Sequence, residues 1–137
     1  ILLPLLENEP KILTIANRTK QKAHELQQQF SSYGNIIAGD YDDIRGENFD
    51  LVINATSASL YGELPPLPPR LFAVESMAYD LMYRGGDTPF LQFSRQQGAA
   101  RLVDGIGMLV EQAAESFFLW RGIRPQTEPV IEKLRNL

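Results

Sequence analysis

No cysteine occurs in the 137 residues, so a disulfide framework, a zinc–thiolate centre and a thiol nucleophile are excluded. Basic excess is also absent: the formal net charge is -4 and the pI about 5.0. A surface that displaces counterions from nucleic acid needs such an excess, so nucleic acid is not an expected partner. A local basic cluster can still hold one phosphate. No apolar run approaches the ~20 residues that cross a bilayer, and no membrane partner is expected. Histidine occurs once, as His24, in a polar stretch that reads as helix surface.

What is present is ordinary for a soluble globular domain: 44% hydrophobic and 22% charged residues, in a length that fits one domain. The chain does not begin with Met and opens inside the apolar run ILLPLL, Ile1 to Leu6. That run is too short for a signal sequence and lacks a basic leader. It reads as a helix that starts near Pro4, in a piece of a longer protein.

Beyond it, apolar strand-like runs alternate with helix-like stretches. Lys11 to Ala16 reads as a strand and Thr19 to Phe30 as a helix capped by Thr19, with Ala23, Leu26 and Phe30 on its inner face. NIIAGD reads as a strand ending at Asp40. FDLVINAT, Phe49 to Thr56, reads as a strand buried on both faces through Leu51, Val52 and Ile53. A loop with Pro65, Pro66, Pro68 and Pro69 follows, then a strand ending near Tyr79 and Asp80. TPFLQFSRQQGA reads as a helix stopped by Gly98, and ARLVDG as a last short strand. The longest helix runs from Gly105 to about Arg121, with Asp104 as cap and an apolar stripe of Ile106, Leu109, Val110, Ala113, Phe117 and Trp120. EPVIEKLRNL, to Leu137, is a final amphipathic helix. This alternation predicts an α/β fold: a Rossmann-like, doubly wound parallel sheet with helices on both faces.

In such sheets ligands bind beyond the carboxyl ends of the strands. Four groups stand there: Asn17 to Thr19, Asn54 to Ser59, Tyr79 to Tyr83, and Asp104 with Gly105. In NAD-binding folds the second strand commonly ends in a carboxylate that takes the ribose 2′-hydroxyl. Here Asn17, Arg18 and Thr19 occupy the strand end, with Lys22 one helical turn on and Lys20 nearby. A guanidinium with these neighbours suits a phosphate monoester, such as the 2′-phosphate of NADP; a solvated basic helix start is the alternative. Asn54, Thr56, Ser57 and Ser59 follow a strand, either as small side chains that admit a ligand to the backbone or as ordinary turn formers. Gly105, Met108 and Gln112 share one helix face, with Gln112 either a polar contact or simply exposed. Tyr83 offers a phenolic hydrogen bond or half-buried packing. Asp40, Asp42, Asp43 and Glu47 read as a solvated loop whose spacing fits no standard metal loop.

NRT, INATS, YDLMYRGGDTPFL and DGIGMLVEQAAESFFLWRGIRPQTEPV, in this order and spacing, resemble the carboxyl-terminal half of the shikimate dehydrogenases. ILLPLL resembles the helix after that family's Gly-rich loop. The resemblance implies a cytoplasmic NADP-linked oxidoreductase of aromatic amino-acid and chorismate biosynthesis, which interconverts 3-dehydroshikimate and shikimate. It implies cofactor contacts at Asn17, Arg18, Thr19, Lys22, Thr56, Ser57, Leu81, Gly105 and Met108, with Leu81 where a Met is common. It implies substrate contacts at Tyr83 and Gln112, and no metal. The family's first strand, its Gly-rich loop and its catalytic Lys and Asp match nothing here, so no catalytic residue is expected in this chain. The chain alone is then expected to be inactive and to bind NADP weakly. Residues 1–137 are expected to form most of the NADP-binding domain, with residues 105–137 packing toward the substrate domain. An unpaired strand edge would favour a homodimer. A quinate/shikimate dehydrogenase paralogue, another NADP-linked Rossmann enzyme and a non-catalytic nucleotide-binding module remain as alternatives.

Overall fold

A computed structural model describes residues 1–136 and divides into two compact units, residues 1–47 with 66–69, and residues 48–65 with the chain from 70 onward. The first unit contains α1 (Leu2–Leu6), β1 (Leu13–Ala16), α2 (Lys20–Phe30) and β2 (Ile36–Gly39). Pro4 lies in the first turn of α1, where its missing N–H removes no intrahelical bond. β1 and β2 are parallel, with Leu13 opposite Ile36 and Ala16 opposite Gly39. α2 is the crossover that parallel pairing requires. Its Ala23 is fully buried, and Leu6, Ile36 and Ile44 complete the unit's buried apolar set. Gln27 Nε2 donates to the Ile36 carbonyl at 2.6 Å and ties the helix to the second strand.

The second unit contains β3 (Phe49–Asn54), β4 (Phe72–Asp80), α3 (Pro89–Gln96), β5 (Arg101–Val103), α4 (Ile106–Arg121) and α5 (Glu128–Arg135). Its sheet has the order β3-β4-β5, all parallel, with Asn54 opposite Asp80 and Tyr79 opposite Val103. Thr88 caps α3 by accepting from the Leu91 N–H at 3.2 Å, and Pro89 follows at the first helical position. The fold is the expected α/β class of parallel strands with helices on both faces, with the strands in two ladders, one per unit. The last helix, expected to reach Leu137, ends at Arg135; Leu137 lies outside the described residues.

Two sequence expectations are corrected. The inward face of α4 is Ile106, Val110 and Ala114, whereas Leu109, Ala113, Phe117 and Trp120 are exposed, Trp120 to 82%. Both sets have helical spacing; burial selected the one led by small and branched residues. β3 is not enclosed on both faces: Leu51 is 38% exposed, and Val52 and Ile53 are half-buried.

β4 carries an irregularity. Between the pairs Phe49↔Phe72 and Leu51↔Met77, β3 advances two residues and β4 five. The surplus bulges out, leaving Val74 92% exposed and Glu75 at φ 63°. Directly after it, the Ser76 hydroxyl is buried with no hydrogen-bond partner among the described residues. An unpaired buried hydroxyl costs about 1–3 kcal/mol. Ser76→Ala is therefore expected to leave stability unchanged or raise it by about 1 kcal/mol, as read from urea unfolding midpoints; a clear destabilisation would show that the hydroxyl does have a partner.

Candidate functional site

In the first unit the turn after β1 is set by Asn17. Its N–H donates to the Gly39 carbonyl at 3.1 Å, prolonging the strand ladder, and its Oδ1 accepts from the Thr19 N–H at 2.9 Å. This side-chain-closed turn carries the chain from strand to helix in three residues and puts Arg18 at its crown. Arg18, Thr19 and Lys22 are exposed and Asn17 half-buried. Thr19 stands at the N-cap position, but its hydroxyl makes no cap bond, so the expected side-chain cap is corrected.

The cations here differ in availability. Lys20 Nζ lies 2.6 Å from Asp43 Oδ2. The hydrogen bond to Asp43 raises the Lys20 pKa and lowers that of Asp43. Asp43 also accepts from the Asp40 N–H, while Asp40 Oδ1 accepts from the N–H groups of Asp42 and Asp43. The acidic loop thus folds on its own backbone and neutralises Lys20. Arg18 and Lys22 form no ion pair among the described residues. Burial raises the Tyr41 pKa, and the Arg18 charge opposes that rise, so the guanidinium field reaches the phenol.

In the second unit the loops after β3 and β4 converge on Asp80, which is fully buried. Its Oδ1 accepts from Asn54 Nδ2 at 3.1 Å and the Met82 N–H at 3.1 Å; its Oδ2 accepts from Ser59 Oγ at 2.8 Å and Thr88 Oγ1 at 2.6 Å. Asn54 Oδ1 accepts in turn from the Thr56 N–H at 3.1 Å and its hydroxyl at 2.8 Å. Of the four polar residues in INATSAS, Asn54 and Ser59 are buried in this network and Thr56 is bound to it; only Ser57 is exposed. Sequence reasoning missed Asp80 and Thr88. A lone carboxylate closing an apolar strand in MAYDLM was the available signal, because a buried charge requires partners.

Leu81 follows directly, its N–H donating to the Asn54 carbonyl at 3.1 Å. Gly105 is buried against this segment: its N–H donates to the Met82 carbonyl at 3.0 Å, and a Cβ there would fall on the Leu81 carbonyl. Met108 is half-buried on the first turn of α4, while Gln112 and Tyr83 are exposed. Asp104 Oδ1 accepts from the Ile106 N–H at 3.3 Å, although the N-cap position belongs to Gly105. Farther along, Arg124 bridges Glu111 at 2.8 Å and Glu115, holding the connector to α5 against α4. Hydrogen bonds from Thr127 and Arg124 lower the Glu111 pKa.

The Gly105 contact generates a prediction. Gly105→Ala must push α4 or residues 81–82 aside, and overpacking costs about 1–3 kcal/mol. A lowered urea midpoint with a perturbed Leu81–Met82 backbone in NMR is expected; unchanged stability and shifts would contradict the contact.

Comparison with known proteins follows the same pattern. The family model for the shikimate 5′-dehydrogenase C-terminal domain matches residues 105–135. A shikimate dehydrogenase (NADP(+)) of Nitrosospira multiformis is 68% identical over 136 residues, 99% of this chain and 50% of that protein. The crystal structure of an Ael1 enzyme from Pseudomonas putida superposes with a TM-score of 0.85 at 50% identity, covering 97% of this chain and 49% of that one. Shikimate 5-dehydrogenase from Thermus thermophilus, in complex with NADP(H) and shikimate, gives 0.76 at 31% identity over 96% of this chain and 48% of that one. The chain spans about half the length of the curated relatives it matches. Over its length the chain is similar to the carboxyl-terminal half of the shikimate dehydrogenases.

Proposed function

We propose that this chain is the NADP-holding part of a shikimate dehydrogenase, whose whole protein reversibly reduces 3-dehydroshikimate to shikimate in the cytoplasm. The observation that carries the cofactor reading is the turn at Arg18: the residue that would be an acid for a ribose 2′-hydroxyl is an exposed guanidinium with no carboxylate partner among the described residues. The donor set fits a phosphate dianion. Arg18 gives a planar pair of N–H donors, Lys22 a second cation without an ion pair among the described residues, Thr19 a hydroxyl that makes no cap bond, and Asn17 a side-chain N–H group beyond its turn bond. Arg18 also disfavours an NAD-linked quinate dehydrogenase.

In the second unit, Thr56, Ser57, Leu81, Gly105 and Met108 are assigned to the rest of the cofactor, and Tyr83 and Gln112 to the substrate. NADPH supplies the hydride when bound. The chain's residues bind and orient; none of them is assigned the accompanying proton. Residues 105–137 are assigned to packing toward a substrate domain, supported by the exposure of Leu119, Trp120 and Ile123 on and after α4. The unpaired edges of β1 and β3 support association into a homodimer.

Calorimetric titration with NADP, NAD and 2′,5′-ADP tests this reading. A charged hydrogen bond contributes about 1.5–3 kcal/mol, reduced here because both cations are exposed. NADP is expected to bind about tenfold to several hundredfold more tightly than NAD, and Arg18→Ala to erase the difference. Equal binding of the two cofactors would overturn the assignment of Arg18. Sedimentation of the same samples reports the homodimer, which a concentration-independent monomer would contradict.

A further inference from the structure

We propose that Asp80 is the positioning residue of the second unit: its buried carboxylate fixes the loops that carry Thr56, Ser57, Leu81 and Tyr83. What those loops hold rests on the cofactor reading above; the network itself does not.

Four donors from four segments meet on this one group: the side chain ending β3 (Asn54), the turn beyond it (Ser59), the backbone after β4 (Met82) and the cap of α3 (Thr88). No cation pairs with it among the described residues. The carboxylate is compensated entirely by hydrogen bonds, so each loop is held only while it presents its donor. Asn54 relays the constraint, accepting from Thr56 through its side chain and from Leu81 through its carbonyl. Thr88 relays it in another direction, donating to Asp80 and accepting from Leu91. A carboxylate is required because both oxygens accept two bonds. An amide of the same shape presents its NH₂ either to two N–H donors or to two hydroxyls, which can accept it only by turning away the protons they now give to Asp80.

Asp80→Asn keeps the volume and tests this. In hydrogen–deuterium exchange of the 137-residue chain, amides of residues 56–60 and 81–83 are expected to exchange at least about tenfold faster, a loss of roughly 1.4 kcal/mol in local opening free energy. Amides of β5 and the centre of α4 should stay within about twofold. Acceleration spread evenly over the unit would overturn the proposal in favour of plain stability, and no acceleration would overturn it outright. Should Asp80→Asn not fold, Thr88→Val replaces it and must accelerate the same amides, while Thr88→Ser, which keeps the hydroxyl, must not. Ligands separate this proposal from the function. Asp80→Asn should leave 2′,5′-ADP affinity unchanged and cut the extra affinity of NADP over 2′,5′-ADP about tenfold; an intact NADP advantage would overturn the positioning role. A parent chain that binds neither ligand, or both alike, removes the cofactor reading of the second unit, and exchange alone then decides the role of Asp80.

Discussion

A buried carboxylate with no countercharge among the described residues is the constraint on which four segments of the second unit meet. Removing a carboxylate from water costs several kcal/mol unless its lone pairs are met. At Asp80 they are met by Asn54, Ser59, Met82 and Thr88, so the cost of burial becomes a demand on the shape of the surrounding chain. The ends of β3 and β4 and the start of α3 cannot shift separately without stripping an acceptor. Gly105 adds a steric limit to the same region, since the space for its side chain is taken by the Leu81 carbonyl.

The first unit uses charge in the opposite manner. Its cations are at the surface, and what matters is which are already satisfied. Asp43 takes Lys20 and the Asp40 N–H, leaving Arg18 and Lys22 with no ion pair among the described residues. Exposed pairs contribute about 0–1 kcal/mol to folding, so leaving these two unpaired sacrifices little stability while keeping charge available to a phosphate. A buried anion met by neutral donors and exposed cations without a carboxylate among the described residues are two answers to the same electrostatics, divided by access to water.

Much of this was legible in the sequence. Strand and helix order followed from apolar runs punctuated by Gly and Pro: Gly98 does follow a helix in left-handed geometry, and Pro4 does lie in a first turn. The exposed turn at Arg18 was legible because Asn, Arg and Thr stand between an apolar strand and a helical stretch. The rest depended on tertiary neighbours. Periodicity allowed two inward faces for α4 and could not rank them. The run Leu51 to Ile53 suggested a strand enclosed on both faces, but Leu51 is exposed and Val52 and Ile53 only half-buried. Asp80 was seen only as a strand end because its donors are up to 26 residues away. Asn54 and Ser59 looked like turn residues, whereas Asn54 ends β3 and both side chains are buried on Asp80; that inward direction is what the linear pattern hides.

The most direct measurement is phosphorus NMR of bound 2′,5′-ADP through a pH titration. Contact of the 2′-phosphate with Arg18 and Lys22 favours the dianion, so that resonance should titrate below its free value of about 6, and Arg18→Ala should move it back toward that value. A 2′-phosphate that titrates as the free ligand does while 2′,5′-ADP is bound would contradict the placement of that phosphate on Arg18.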